Sequence, residues 1–166
     1  MAQIILVNAN EHVQDAVLWQ VYHLLAEQAA NPHEIAIGNG QLQACNVAQP
    51  IALTQGGYPS KFKALLSIQE SRVGIFCVTH NMSTLLNALV GFAHNEVVVC
   101  GVRTNEDTEA FWRAGLETLH YEHVEIIPLG ENIIYPQDAE LRHDARLFNE
   151  QAQAIANLVM QMIQNH

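Results

Sequence analysis

The sequence predicts an α/β domain of the doubly wound type, in which helices cover both faces of a parallel sheet. Two observations support this prediction. Short and almost continuously apolar runs recur along the chain, as is typical of strands buried on both faces. Segments with the spacing of amphipathic helices lie between these runs. The alternation of the two patterns is characteristic of this fold class.

Four apolar runs predict the central strands, and a weaker run predicts a fifth. They are QIILVN at 3–8, RVGIFCVT at 72–79, EVVVCGV at 96–102, HVEIIPL at 123–129 and the weaker HEIAIGN at 33–39. Five strands joined by right-handed crossovers predict a parallel sheet in the order 2-1-3-4-5, with helices on both faces. The length and the apolar content predict that residues 1–166 form a single domain.

Helices are predicted in the segments between the strands. In the first, Val17, Val21 and Leu25 form an inward stripe, whereas Gln14 and Asp15 fall largely outside it. The predicted helices run from Glu11 to Ala30, from Ser60 to Glu70, from a cap at Ser83 through Val90, from Asp107 to Leu119, and from about Arg142 toward the end of the sequence. The segment 38–59 is rich in glycine and proline, which favours turns over regular structure.

The charge balance excludes some classes of partner. Seven lysines and arginines stand against 17 acidic residues, so the formal net charge is −10. Such a surface repels nucleic acid and anionic membranes at long range. The N-terminus has no basic region, and no apolar run reaches the length of a membrane span, which predicts a cytoplasmic protein. Cys77 and Cys100 lie in apolar runs and are expected in the core.

Polar loops are predicted to meet at the carboxyl edge of the sheet, outside strands 1 and 3. They follow the first, third and fourth strands and offer groups that could hold a flat polar ligand. The alternative is that they only form turns and helix caps, with Arg103 paired to a nearby acid. The candidate ligand contacts are Asn8, Asn10, His12, Thr79, His80, Asn81, Met82, Ser83, Arg103 and Thr104.

One long passage, PSKFKALLSIQESRVGIFCVTHNMSTLLNAL, resembles the NADPH-dependent FMN reductase family of flavodoxin-like proteins. In that family the third strand ends in a motif of the type T-P-x-Y-N-x-S. Thr79, Asn81 and Ser83 match its Thr, Asn and Ser if two residues are deleted, and His80 replaces the proline. The resemblance covers nearly the whole chain as a pattern, with few identities.

This resemblance implies a flavodoxin-like fold and a flavin-dependent oxidoreductase. Bound FMN would take hydride from NADPH or NADH and pass electrons to a small acceptor, so the protein itself needs no catalytic residue. The resemblance also implies a homo-oligomer. The alternative is a non-catalytic relative that acts through protein association, because the first loop, NANEHV, has no hydroxyl and places Glu11 where a phosphate would bind. A hydrolase or transferase is a weaker third possibility. No metal site is predicted, since His120 and His123 have no evident third ligand.

Overall fold

A computed structural model describes residues 2–8, 11–30, 32–37, 41–46, 62–77, 95–102, 114–118, 121–128 and 149–165. The described strands are β1 (Ala2–Asn8), β2 (His33–Ile37), β3 (Gln43–Cys45), β4 (Phe62–Ile68), β5 (Ser71–Cys77), β6 (Val97–Val102) and β7 (Tyr121–Pro128). The helices are α1 (Glu11–Ala26) and α2 (Asn149–Gln164), and residues 114–118 are also helical.

All seven described strands form one mixed sheet in the order β3-β2-β4-β5-β6-β1-β7. Four adjacent strands, β5, β6, β1 and β7, are parallel to one another. β4 pairs antiparallel with β2 and β5, and β3 pairs antiparallel with β2. Therefore β1, β2, β5, β6 and β7 point one way, while β3 and β4 point the other way.

The predicted fold class is therefore wrong: the chain does not form a flavodoxin-like, five-stranded parallel sheet in the order 2-1-3-4-5. The five predicted strands are present and point the same way, but in the predicted numbering their order is 2-3-4-1-5. β4 lies between the second and third of them, and β3 adds an antiparallel edge. The short edge strand β3 lies in segment 38–59, where the composition favours turns over regular structure.

The segment predicted as a helix from Ser60 to Glu70 contains β4 instead. Side chains in this strand alternate between buried and more exposed positions, with Phe62 and Ala64 buried and Lys63 exposed. This is the two-residue period of a strand. Phe62, Leu65, Leu66 and Gln69 also fit helical spacing, and over so short an apolar run periodicity alone cannot separate the two structures.

A two-residue turn joins β4 to β5. Gln69 and Glu70 both have positive φ, at 50° and 70°, and Ile68 pairs with Ser71 across the turn. Two central residues with positive φ define the type I′ hairpin turn, which favours Asn-Gly. Because Gln-Glu is atypical at these positions, the turn could not be predicted from the local sequence.

Helix α1 confirms the predicted first helix, although it ends at Ala26. Val17, Val21 and Leu25 of the predicted stripe are fully buried. Residues outside the stripe are buried as well, including Leu18 and Trp19. The reason is that α1 packs both on β4, β5 and β6 and against α2.

Helix α2 confirms the described part of the predicted C-terminal helix. Its buried residues Ala152, Ile155, Val159, Met162 and Ile163 join the same hydrophobic cluster as α1. The predicted helix after Ser83 and the first part of the predicted helix 107–119 lie outside the described residues. Among the described residues, no helix is both long and apolar enough to cross a bilayer.

Strand β1 is buried on both faces of the sheet. Ile5 and Val7 belong to the cluster beneath α1, whereas Ile4 and Leu6 point to the opposite face, and all four are fully buried. Burial of each such side chain contributes about 1.5–3 kcal/mol. The two-sided burial explains why the sequence of β1 is almost continuously apolar.

Optimising the β4–β5 turn should stabilise the protein. We predict that Gln69→Asn combined with Glu70→Gly raises the free energy of unfolding by about 1 kcal/mol, because these residues adopt positive φ at lower cost. Urea unfolding measures the change. As a control within the same hairpin, Lys63→Gly should lower stability by about 0.5–1 kcal/mol. Destabilisation by the turn variant would instead support a helix across residues 60–70.

Candidate functional site

The carboxyl ends of β5, β6 and β1 lie side by side at one edge of the sheet. Cys77 at the end of β5 pairs with Gly101, and Asn8 at the end of β1 pairs with Val102. The segments that follow these strands therefore leave the sheet from neighbouring positions. The sequence predicts that these three connections surround a ligand. Of the three strands, β6 is the central one.

The strand order moves the point at which the winding of the sheet reverses. The connection from β1 to β2 passes over β6, β5 and β4 through α1, whereas the connection from β6 to β7 must pass β1 in the opposite direction. Right-handed crossovers in opposite directions lie on opposite faces. The switch point is therefore between β1 and β6. The prediction of a crevice between strands 1 and 3 is therefore wrong, because these strands, β1 and β5, are not neighbours.

The described residues include two of the ten predicted ligand contacts. Asn8 is half-buried and pairs with both Val102 and Pro128, so it lies at the switch point. His12 is in the first turn of α1, where only its backbone is described. The other eight lie outside the described residues: Asn10, Thr79, His80, Asn81, Met82, Ser83, Arg103 and Thr104.

Gly101 allows α1 to approach the end of β6 closely. A Cβ atom on Gly101 would lie 2.8 Å from Gln14 Oε1 and 3.2 Å from Leu18 Cδ1. A glycine inside a strand often marks such an approach. As a result, the carboxamide of Gln14 is held against the carboxyl end of β6, next to the switch point.

Gln14 and Asp15 are polar residues of this region that sequence reasoning missed. Their exposed fractions are only 6% and 5%, and each residue has an interaction partner. Burial of polar groups is costly unless they are hydrogen-bonded. The prediction placed both outside the inward stripe of α1. Leu18, Trp19 and Tyr22 were the missed signal, because apolar residues beyond the stripe indicate a helix covered on more than one side.

A buried Tyr–His pair lies further along α1. The side chains of Tyr22 and His33 are hydrogen-bonded between the hydroxyl and Nε2, and Trp19 and Phe62 pack nearby. Burial, with a smaller effect from Cys45, raises the pKa of Tyr22 to about 12. Burial also lowers the pKa of His33. Both groups are therefore held in their neutral forms near pH 7.

The cysteines with described side chains are both free thiols. Cys100 is fully buried, and burial raises the pKa of its thiol, so it is an unreactive core residue, in agreement with the prediction. Cys45 is half-buried on β3, directly opposite His33. Among the described side chains, no group of three or more His, Cys, Asp or Glu residues could hold a metal ion.

Comparisons with known proteins give no relative for this chain. No model of a known protein family matches it, and no curated protein and no solved structure matches it either. The resemblance to FMN reductases therefore stays a prediction.

Filling the space at Gly101 should separate α1 from β6. We predict that Gly101→Ala lowers the free energy of unfolding by about 1–3 kcal/mol, because the added methyl group meets Gln14 and Leu18. The cost should fall by at least about 0.5 kcal/mol in a Gln14→Ala background, where the nearest atoms are absent. Urea unfolding of the two single variants and the double variant measures this coupling. If the effects of the two substitutions on the free energy of unfolding simply add, the predicted contact between position 101 and Gln14 is wrong.

Stability should decrease as the pH falls below 7. Burial lowers the pKa of His33 and, against an opposing effect of Glu27, that of His23 below the ordinary value of 6.5. The unfolded chain therefore binds more protons than the folded chain as pH falls through 6.5, which favours unfolding. We predict that His33→Gln makes stability less dependent on pH between about 7.5 and 5.5. Unfolding curves at several pH values test this, and an unchanged slope would exclude His33 as a contributor.

Proposed function

We propose that this chain binds a small polar ligand at the switch point between β1 and β6. The observation that carries the proposal is the pairing of Asn8 with Val102, where connections that leave in opposite directions begin. Open α/β sheets bind ligands outside the carboxyl ends of their strands at such points. The buried carboxamide of Gln14, held against Gly101, adds a fixed polar group beside this position.

FMN is the ligand that we propose to test first. Arg103 and Thr104 follow β6 directly, and Asn10 follows β1, so these segments begin on either side of the switch point. The motif residues 79–83 follow β5, one strand further away. If FMN is bound, the isoalloxazine ring itself supplies the hydride chemistry with NADPH or NADH. The protein residues would bind and orient the ring.

The phosphate of FMN sets a requirement on the charges of the site. The chain has a net charge of −10, and Glu11 begins α1 close to the end of β1. A carboxylate there repels a phosphate. Arg103 is the cation that follows β6 most closely in the sequence. We therefore propose that its guanidinium binds the phosphate of FMN.

The remaining parts of the proposal follow from the resemblance and the composition. They are a small-molecule electron acceptor, self-association of the chain and a cytoplasmic location. The second candidate function, a non-catalytic protein that acts through association, applies if the chain binds no flavin.

FMN binding can be separated from the role assigned to Arg103. We predict that titration with FMN shifts the flavin absorbance between about 350 and 500 nm to a stoichiometric end point, and that the complex oxidises NADPH or NADH. Arg103→Gln should weaken FMN binding about tenfold and leave riboflavin binding nearly unchanged, since riboflavin has no phosphate. Arg72→Gln, at the opposite end of the sheet, is the matched control and should bind FMN normally.

The result of the titration decides between the two candidate functions. Failure to bind either flavin at high micromolar concentration would exclude the oxidoreductase and favour the non-catalytic alternative. Equal weakening of FMN and riboflavin by Arg103→Gln would place that side chain near the ring instead of the phosphate.

A further inference from the structure

A cavity of about 400 Å³ lies at the opposite edge of the sheet, near the amino ends of β2 and β5. This volume is within the range of small-molecule sites. Its lining includes one acidic and one basic side chain, other polar groups and apolar surface. The lining residues are Pro32, His33, Glu34, Leu65, Leu66, Ser67, Arg72 and Asn95.

The two charged residues of the cavity share one face of the sheet. Glu34 on β2 is opposite Leu65 on β4, and Ser67, two residues further along β4, is opposite Arg72 on β5. Directly opposed residues in antiparallel strands point to the same face, as do alternate residues of one strand. All four side chains therefore lie on the face away from α1.

Within the described part of the chain, no protein group neutralises Glu34 or Arg72. Both side chains are exposed, and neither has a hydrogen-bond or ion-pair partner among the described residues. They are separated by two strand spacings and two residues, so their Cα atoms are roughly 12 Å apart. A molecule with an anionic and a cationic group a few ångströms apart could contact both side chains.

We propose that this cavity binds a free α-amino acid, with its carboxylate on Arg72 and its ammonium group on Glu34. A simple anion fits less well, because Glu34 and the net charge of −10 repel it. A simple cation leaves the guanidinium of Arg72 unpaired. An amino acid in its ordinary zwitterionic form satisfies both groups.

Other lining residues complete this assignment. The hydroxyl of Ser67 lies beside Arg72 across the β4–β5 pair and can donate to a carboxylate. Asn95 is 9% exposed and offers both a donor and an acceptor. Pro32 and the half-buried Leu65 provide apolar surface, which favours an amino acid with an apolar side chain.

This site is separate from the proposed ligand site at the switch point. Glu34 and Arg72 are each the second residue of a strand, whereas the switch point is at the carboxyl ends. A strand of seven residues such as β5 spans about 20 Å. The proposal of an amino-acid site therefore does not depend on whether the protein binds FMN.

Calorimetric titration of the whole chain with free amino acids tests the proposal. The probes are leucine, methionine, phenylalanine and serine, each beside its N-acetyl derivative and its carboxamide. We expect binding of at least one apolar amino acid and at least a tenfold loss of affinity when either charge is blocked. Arg72→Gln and Glu34→Gln should each cause a similar loss. Lys63→Gln is the control, because Lys63 is an exposed cation of β4 that does not line the cavity.

Three results would overturn the proposal. One is the absence of binding for every amino acid up to on the order of 10 mM. Another is equal binding of the free and N-acetylated forms, which would mean that Glu34 does not recognise an ammonium group. The third is normal affinity in both Arg72→Gln and Glu34→Gln. Circular dichroism and the unfolding midpoint of each variant ensure that a loss of affinity is not a loss of folding.

Discussion

The pairing of β1 with β6 on one side and β7 on the other is the constraint on which the rest of the structure depends. It places an apolar strand in a parallel environment, where both of its faces are buried. It also forces the chain to leave β1 across β6, β5 and β4 in order to reach β2. Helix α1 makes this crossing, and its burial between the sheet and α2 follows from it.

The existence of the parallel strands could be predicted from the sequence, but their order could not. Apolar runs report that a strand is buried on both faces, and β1, β5 and β6 satisfy this equally well. Neighbouring positions in the sheet depend on pairings between residues far apart in the sequence. Nothing in the local pattern of QIILVN states that Ile5 lies beside Val99.

The proposed ligand site shows the same division between local and distant information. The polar segments after the first, third and fourth strands could be read directly from the sequence. Their common origin at one edge depends only on parallel strand direction, so it survives the change of order. Which two of these strands are neighbours at the switch point depends on the order of the strands in the sheet. The polar residues Gln14 and Asp15 were missed because α1 is covered on more than one side, which a single amphipathic stripe does not express.

Strand β4 occupies the place between β2 and β5 that the predicted order gives to β1. The difference matters because β1 is apolar on both sides, whereas β4 alternates, with Lys63 and Ser67 exposed on the face away from α1. A central strand like β1 would require a cover over this face. With β4 there, Glu34 and Arg72 can keep their charges in water beside a cavity. The antiparallel insertion that changes the sheet order thus also leaves a polar surface at its amino edge.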